Sequence, residues 1–299
     1  MTSDAPLEIA WIGTGVMGRS MAGHLLDAGH RLRVHSRTRA KSDSLVDRGA
    51  RWCDSPAEAS EGADLAISIV GMPPDVEAVH LGPDGTLAAA TPPKVVVDMT
   101  TSSPALARVI AERGRERGVG AVDAPVSGGD VGARNASLSI MVGGDEAAVE
   151  AARPAFERMG RTIVHHGPAG AGQHVKMVNQ ILIAGTMLGM CEGLRYAESS
   201  GLDPEKVLAS VGGGAAGSWS IQNLAPRILK GDFEPGFRID HFLKDLSIAL
   251  AEARSQGLDL PGLALAERLY RIAVDAGLAE RGTQALVQVV APSGGRSRG

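Results

Sequence analysis

Aromatic side chains are nearly absent, at 3% of the 299 residues. A core must therefore be filled by Ala, Val, Leu, Ile and Met, and base-stacking surfaces for nucleic acid are not indicated. Cysteine is as scarce. Cys53 and Cys191 are the 2 in the chain, far apart, so they suggest no disulfide framework and suit a reducing, cytoplasmic setting. No spacing of His, Cys and carboxylates fits a metal site, and the adjacent His165 and His166 point in different directions. Positive charge is not in excess: 30 Lys and Arg stand against 34 Asp and Glu, a net charge of -4. That balance gives no reason to expect nucleic acid or an anionic membrane as a partner. A secretory signal is not visible either, since the first apolar run, Leu7 to Gly18, is short, glycine-rich and carries Glu8. The longest uncharged stretch, Met177 to Cys191, falls short of the ~20 residues a spanning helix needs. It contains Asn179 and Gln180 and reads as a buried helix of a soluble protein.

What is present is a two-part pattern. Glu8–Gly13, Arg31–His35, Leu65–Val70, Val95–Asp98 and Val119–Asp123 read as strands. Val16–Ala28, Arg39–Arg48, Pro74–His80 and Pro104–Arg117 read as the helices between them. This alternation predicts a doubly wound, mostly parallel sheet. Two more strands are expected at Leu138–Val142 and Thr162–His165, around a helix near Glu146–Met159. After Gly167-Pro168-Ala169-Gly170-Ala171-Gly172 the strand signals end. Helices are predicted at His174–Ser200, Pro204–Val211, Ser220–Lys230, Ile239–Gln256, Pro261–Ala276 and near Gln284–Val290, with Asp203-Pro204 as a cap and first turn. The expected organisation is an α/β domain over 1–167, an all-helical domain over 168–291 joined by a long helix near 174–200, and a disordered tail over 292–299.

The first strand runs into Gly13-Thr14-Gly15-Val16-Met17-Gly18, which opens a helix. A pyrophosphate needs this arrangement: Gly13 for the tight turn, Gly15 for close approach of backbone to phosphate, Gly18 for close packing of helix on strand. The helix N-terminus adds free N–H groups and a positive dipole end. The motif alone is a weak signal, but its place between strand and helix at the start of a βαβ unit is the required context. At the end of the second strand an NAD site usually has an acidic residue for the ribose 2′-OH. This chain has Ser36, Arg37, Thr38 and Arg39 there. Ser36 and Thr38 can donate hydrogen bonds and Arg37 can fork onto a 2′-phosphate, so NADP is expected in preference to NAD.

Three further segments can carry chemistry. Asp123-Ala124-Pro125-Val126-Ser127-Gly128-Gly129 ends a strand, and its paired glycines could form a nest for a carboxylate. Alone it is equally a tight turn. In Gly172 to Gln180, Lys176 and Asn179 are three apart on one helix face. A lysine in so apolar a helix is costly unless it has a task, though snorkelling from the helix start is the plain alternative. Lys244-Asp245 by itself would be an ordinary charged helix face.

Taken together, these segments, with Met72-Pro73 and Asp98-Met99-Thr100-Thr101, resemble the β-hydroxyacid dehydrogenase family, which includes 3-hydroxyisobutyrate dehydrogenases and tartronate semialdehyde reductases. The match runs from Ile9 to about Val290. It implies an N-terminal Rossmann domain, a helical domain that helps form dimers or tetramers, and a site in the cleft between them. By the resemblance, Lys176 is the catalytic residue, and Ser127, Gly128, Gly129 and Asn179 bind a small anionic hydroxy acid or semialdehyde. Met72, Pro73, Thr101 and Lys244 would line the cofactor, and the basic loop after the second strand goes with NADP. Two departures stand out. Ala136 replaces a frequent glycine and would be strained at positive φ. Asp240-His241-Phe242 is more polar than the usual run and would either line the pocket or cap the helix.

The implied chemistry is hydride transfer between NADP(H) and a semialdehyde or its hydroxy acid, with the lysine ammonium stabilising the developing oxyanion and exchanging its proton. Free lysine, with a pKa of ~10.4, is too weak an acid for easy exchange. The apolar helix and a nearby Lys244 would lower that value, and cofactor phosphates would raise it. An imine reductase-like enzyme and a catalytically dead dinucleotide-binding protein are the rival readings. Lys176 weighs against the first, and the intact lysine and serine motifs against the second.

Overall fold

The structure, a computed structural model, describes residues 5–290; the expected tail over 292–299 lies outside the described residues. The chain divides into two compact units, one ending at Lys176 and the next beginning at Met177.

The first unit is built on a nine-stranded sheet. Its strands are β1 (Glu8–Ile12), β2 (Arg31–His35), β3 (Arg51–Trp52), β4 (Leu65–Ser68), β5 (Val95–Asp98), β6 (Gly120–Asp123), β7 (Val126–Ser127), β8 (Leu138–Gly144) and β9 (Gly160–His165). They lie in the order β3-β2-β1-β4-β5-β6-β8-β7, with β9 also on β8. The first six are parallel, β8 is antiparallel to β6 and β7, and β9 runs parallel to β8. This is the doubly wound sheet the alternating pattern predicts.

The apolar runs explain why. β4 and β5 are buried along their whole length, as strands covered on both faces must be. Side chains alternate between two cores. Ile9, Trp11, Ile67 and Val97 pack with Met21 and Leu25 of the helix Val16–Asp27. Ala10, Ile12, Ala66 and Val96 pack on the other face with Ala59, Val76 and Ile110. The strand order turns back at β1, which pairs with β2 on one side and β4 on the other. That crossover opens a crevice at the carboxyl ends of the strands, where ligands of such sheets bind.

Short elements escaped the sequence reading. β3 and β7 have two residues each, and the helices Pro56–Ser60 and Gly129–Arg134 have five and six. Periodicity cannot register in so few residues. The helix expected over Arg39–Arg48 is a 3₁₀ turn at Arg39–Ser42 followed by one α turn at Asp43–Val46. The one expected over Ser220–Lys230 is two helices, Trp219–Asn223 and Ala225–Leu229. Pro226, in the first turn of the second, has no N–H with which to continue the first. The run near Gln284–Val290 is a 3₁₀ helix, Thr283–Gln288.

The second unit is helical. Asp203 caps the helix Pro204–Val211 by accepting from Glu205 N–H at 3.0 Å. The helices Ile239–Ser255 and Pro261–Asp275 bury Phe242 and Tyr270, whose rings meet edge to face at 4.9 Å. The long helix Ala171–Ser199 is long and apolar enough, by length and composition alone, to cross a membrane. Met187, Cys191 and Leu194 on it nevertheless belong to the same core as Phe242, Leu246 and Tyr270. It therefore packs as a core helix.

Candidate functional site

The glycine turn follows β1 directly. Gly13 has φ +100, and a Cβ there would lie 2.1 Å from the Ile69 carbonyl oxygen, so only glycine fits. A Cβ on Gly18 would lie 2.1 Å from the Gly13 carbonyl, so this position seats the helix on the turn. Gly15 differs: nothing lies within 4 Å of its would-be Cβ. Protein packing therefore does not demand glycine there, whereas a phosphate approaching the backbone would. Gly15 caps the helix Val16–Asp27 without a side-chain hydrogen bond, and the first turn carries no acidic residue. Thr14 is buried and its hydroxyl meets that of Ser42 at 3.0 Å, while Val16 is exposed and Met17 partly buried. These residues fit a pyrophosphate.

After β2, Ser36 is partly buried and Arg37 and Thr38 are exposed. Arg37 pairs with Asp75 at 2.9 Å. Asp75 also accepts from Met72 N–H at 3.0 Å and starts the helix Pro73–Leu81. This second-strand acid is absent, as expected, but an acid from a later helix reaches the same arginine; nothing in local sequence announces that contact. Exposed pairs of this kind contribute about 0–1 kcal/mol, so a phosphate can displace the carboxylate.

The carboxyl ends of β4, β5 and β6 carry a buried polar network. Ser68 hydroxyl donates to Asp98 at 2.9 Å and meets His80 Nε2 at 2.8 Å. His80 Nδ1 meets the Thr86 hydroxyl at 2.9 Å. Thr100 N–H donates to Asp98 at 3.0 Å, and the Thr100 hydroxyl accepts from Val70 N–H at 2.9 Å. Thr101, half-buried, follows in the same loop. Burial pushes Asp98 up to about 6 against these hydrogen bonds, and burial pulls His80 down to about 4.

The two shifts act on stability with opposite signs. Asp98, raised in the fold, contributes stability at low pH that is lost as pH rises from ~4 to ~6. His80, depressed in the fold, contributes stability at high pH that is lost as pH falls from ~6.5 to ~4. In the parent protein the two largely cancel. Urea denaturation from pH 4 to 6 is expected to show stability rising with pH in Asp98→Asn and falling with pH in His80→Gln, each by up to about 2–3 kcal/mol. Parallel slopes in the two variants would contradict the pairing.

The next shell holds the head of the long helix. Asp123 accepts Gly170 N–H at 2.7 Å and Gln173 N–H at 2.8 Å, and burial raises its pKa. A Cβ on Gly172 would lie 2.3 Å from the Met141 carbonyl and 2.6 Å from that of Asp123, so the helix starts hard against β6 and β8. Gln173 accepts from Ser102 N–H at 2.9 Å and donates to the Thr100 carbonyl at 2.7 Å. One turn on, Lys176 is 6% exposed, and its ammonium donates to the Val126 carbonyl at 2.9 Å. The amine is thus held beside the strand that carries Ser127. Gly128 and Gly129 follow with φ of +128 and +61, at the start of the helix Gly129–Arg134.

In the second unit, the Asn179 amide donates to Gln180 at 2.6 Å, and Gln180 donates to Asp245 at 2.6 Å. Lys244 pairs with Asp245 at 2.9 Å, both nearly buried. Asn179 and Lys244 therefore share one polar network. Asp123, Gln173, Gln180 and Asp245 were not singled out as site residues. The signal for two of them was present: Gln173, Lys176 and Gln180 recur at helical spacing in an apolar helix, and all three are buried. Asp240 pairs with Arg238 at 2.5 Å in the first turn of its helix, and burial lowers the half-buried His241. Among the described residues no three His, Cys, Asp or Glu side chains converge as metal ligands.

Ala136 has φ +49, the one non-glycine residue at positive φ among the described residues. Ala136→Gly is expected to stabilise by about 0.5–1 kcal/mol, read by denaturant melting. Destabilisation would mean that the methyl group packs more than the backbone strains.

A doubly wound sheet with this turn defines a dinucleotide-binding protein. The comparisons name its relatives. Residues 8–167 match the family model of the NAD binding domain of 6-phosphogluconate dehydrogenase. Residues 170–290 match that described as NAD-binding of NADP-dependent 3-hydroxyisobutyrate dehydrogenase. A probable mitochondrial 3-hydroxyisobutyrate dehydrogenase-like protein of Arabidopsis thaliana is 50% identical, over 94% of this chain and 84% of its own. An NAD-dependent L-serine dehydrogenase of Pseudomonas aeruginosa is 38% identical, over 97% of this chain and 99% of its own. The solved 3-hydroxyisobutyrate dehydrogenase of Mycobacterium tuberculosis, with L-serine, has a TM-score of 0.86 at 31% identity, covering 95% of this chain and 99% of that one. The chain belongs to the β-hydroxyacid dehydrogenase family of NAD(P)-dependent oxidoreductases.

Proposed function

We propose that the protein interconverts a small β-hydroxy acid and its semialdehyde with NADP(H), using Lys176 as the proton donor and acceptor. The observation that carries this reading is the buried ammonium of Lys176, 2.9 Å from the Val126 carbonyl and next to Ser127. The dinucleotide supplies or accepts the hydride. As charge gathers on the substrate oxygen, the lysine donates its hydrogen bond and then its proton; in the reverse direction it takes that proton back. Ser127 and the N–H groups around Gly128 and Gly129 hold the substrate carboxylate, with Asn179 one turn beyond Lys176. Gly13 to Gly18, Met72, Pro73 and Thr101 bind the dinucleotide, and the family resemblance assigns Lys244 to its nicotinamide end.

NADP rather than NAD is supported by Ser36, Arg37 and Thr38 where an acid would otherwise stand. The NAD-dependent relative makes this worth a direct test. Arg37→Ala is expected to weaken NADPH about 10- to 100-fold and NADH little, in fluorescence titrations. Equal losses would remove the 2′-phosphate from the account. A panel of short semialdehydes with each cofactor then identifies the substrate, and absence of turnover on all of them would refute the activity. Light scattering tests the homodimer or homotetramer that the family resemblance implies.

A further inference from the structure

The amino ends of β1 and β2 face away from the glycine turn, roughly 16 Å along the strand from it. There the first unit carries an open depression of about 670 Å³, flanked by Arg31, Arg33, Arg48 and Arg51. Its acidic side chains are Glu8 and Glu61.

Three of the four arginines have acidic partners: Arg31 pairs with Glu8, Arg48 with Asp27 at 2.6 Å, and Arg51 with Glu58 at 3.3 Å. Arg33 is different. Its Nη1 donates to the backbone carbonyl of Glu61 at 2.7 Å, and its Nε, buried, has no hydrogen-bond partner. Arg33 and Arg51 are also register partners on β2 and β3, so two like charges sit side by side on one ladder. Like charges directly opposite one another are unfavourable, and they are answered here only from the rim, by Glu58 at Arg51 and by Glu61, whose carboxyl is held low by hydrogen bonds and then by the charge of Arg33.

His30 supplies the second unpaired donor. Its Nδ1 accepts from Leu7 N–H at 3.1 Å, so the ring proton sits on Nε2. That Nε2 is buried and has no partner. Burial, and then the charge of Arg158, lowers its pKa. Arg33 and His30 thus line the depression together with three further arginines, and each of the two carries a buried N–H without a partner. Water could serve one of them, but the shared sign and the forked geometry suit clustered oxygen acceptors.

We propose that this depression binds a small multivalent oxyanion, a phosphate ester or a polycarboxylate, at a site separate from the dinucleotide turn. Arg33 and His30 would donate from the floor, and Arg31 and Arg51 would close over the ligand by leaving their exposed carboxylate partners.

The test is calorimetric titration of the full chain, saturated with dinucleotide so that the glycine turn is filled. Pyrophosphate and citrate are the probes. One anion is expected to bind per chain, and the stronger probe tells a phosphate site from a carboxylate site. The Arg31→Gln/Arg51→Gln variant alters exposed side chains only, so its melting point should hold. It is expected to lose about tenfold or more in anion affinity with dinucleotide affinity unchanged. Arg33→Lys keeps the charge, lacks the Nε–H, and should weaken binding as well. No saturable binding of either probe, or equal binding in parent and double variant, would overturn the proposal.

Discussion

Lys176→Ala is expected to lower kcat by a factor of about 10²–10⁴, the usual contribution of a positioned proton donor. The Kd for NADPH should stay within a few-fold of the parent, because the proposed seat of the dinucleotide is the Gly13–Gly18 turn. The separation matters because Lys176 is buried and donates to the Val126 carbonyl at 2.9 Å. Removing the donor costs about 1–3 kcal/mol for the carbonyl left behind. A loss of activity with a large loss of stability would be uninformative, so melting is measured beside turnover. Lys176→Arg keeps a cation but cannot readily give up its proton, and it should also be nearly inactive. Near-parent kcat in Lys176→Ala would remove this residue from the chemistry.

The second large effect is expected at Asp123, a positioning residue. It accepts two buried backbone N–H groups at the head of the long helix, from Gly170 and Gln173. Asp123→Asn keeps the volume but turns an amide N–H₂ toward one of those donors. The expected cost is about 2–4 kcal/mol of stability, set by the groups it leaves unpaired. Since Lys176 lies one turn beyond Gln173, the helix head should shift and take the amine with it. The expected kinetic signature is a fall in kcat with KM for NADPH little changed. A parallel loss of cofactor binding would point to general disorder of the sheet instead. Unaltered kcat would show that the amine does not depend on this cap.

The parts of this protein written in runs of ten or more residues were legible in the sequence. The β1–turn–helix unit was readable because glycine recurs at fixed spacing between strand and helix: Gly13 and Gly18 meet steric demands of the turn, and Gly15 leaves the backbone open. The helices Pro104–Glu116 and Ile239–Ser255 were readable from their helical period. The two-residue strands β3 and β7 were not, since a strand of that length is defined by its neighbour and not by its own residues. The same division runs through the site. Lys176 was conspicuous as a charge in an apolar helix. Gln173, a neutral side chain three residues earlier, was not, although its two bonds at 2.9 and 2.7 Å tie the same helix to the Thr100–Ser102 loop. Asp75 illustrates the harder case. Its contact with Arg37 joins residues 38 apart and depends on how two helices leave the sheet. Ala136 illustrates the opposite one: the glycine frequent in the family at this position raised the question of a positive φ, and the backbone has φ +49 there.

The most direct measurement is a crystal structure of the protein with NADP⁺ and a hydroxy acid that the assay panel selects. The account predicts the Lys176 ammonium within hydrogen-bond reach, about 2.6–3.2 Å, of the substrate hydroxyl on the carbon that faces the nicotinamide. An ammonium still on the Val126 carbonyl, with the substrate held elsewhere, would contradict it.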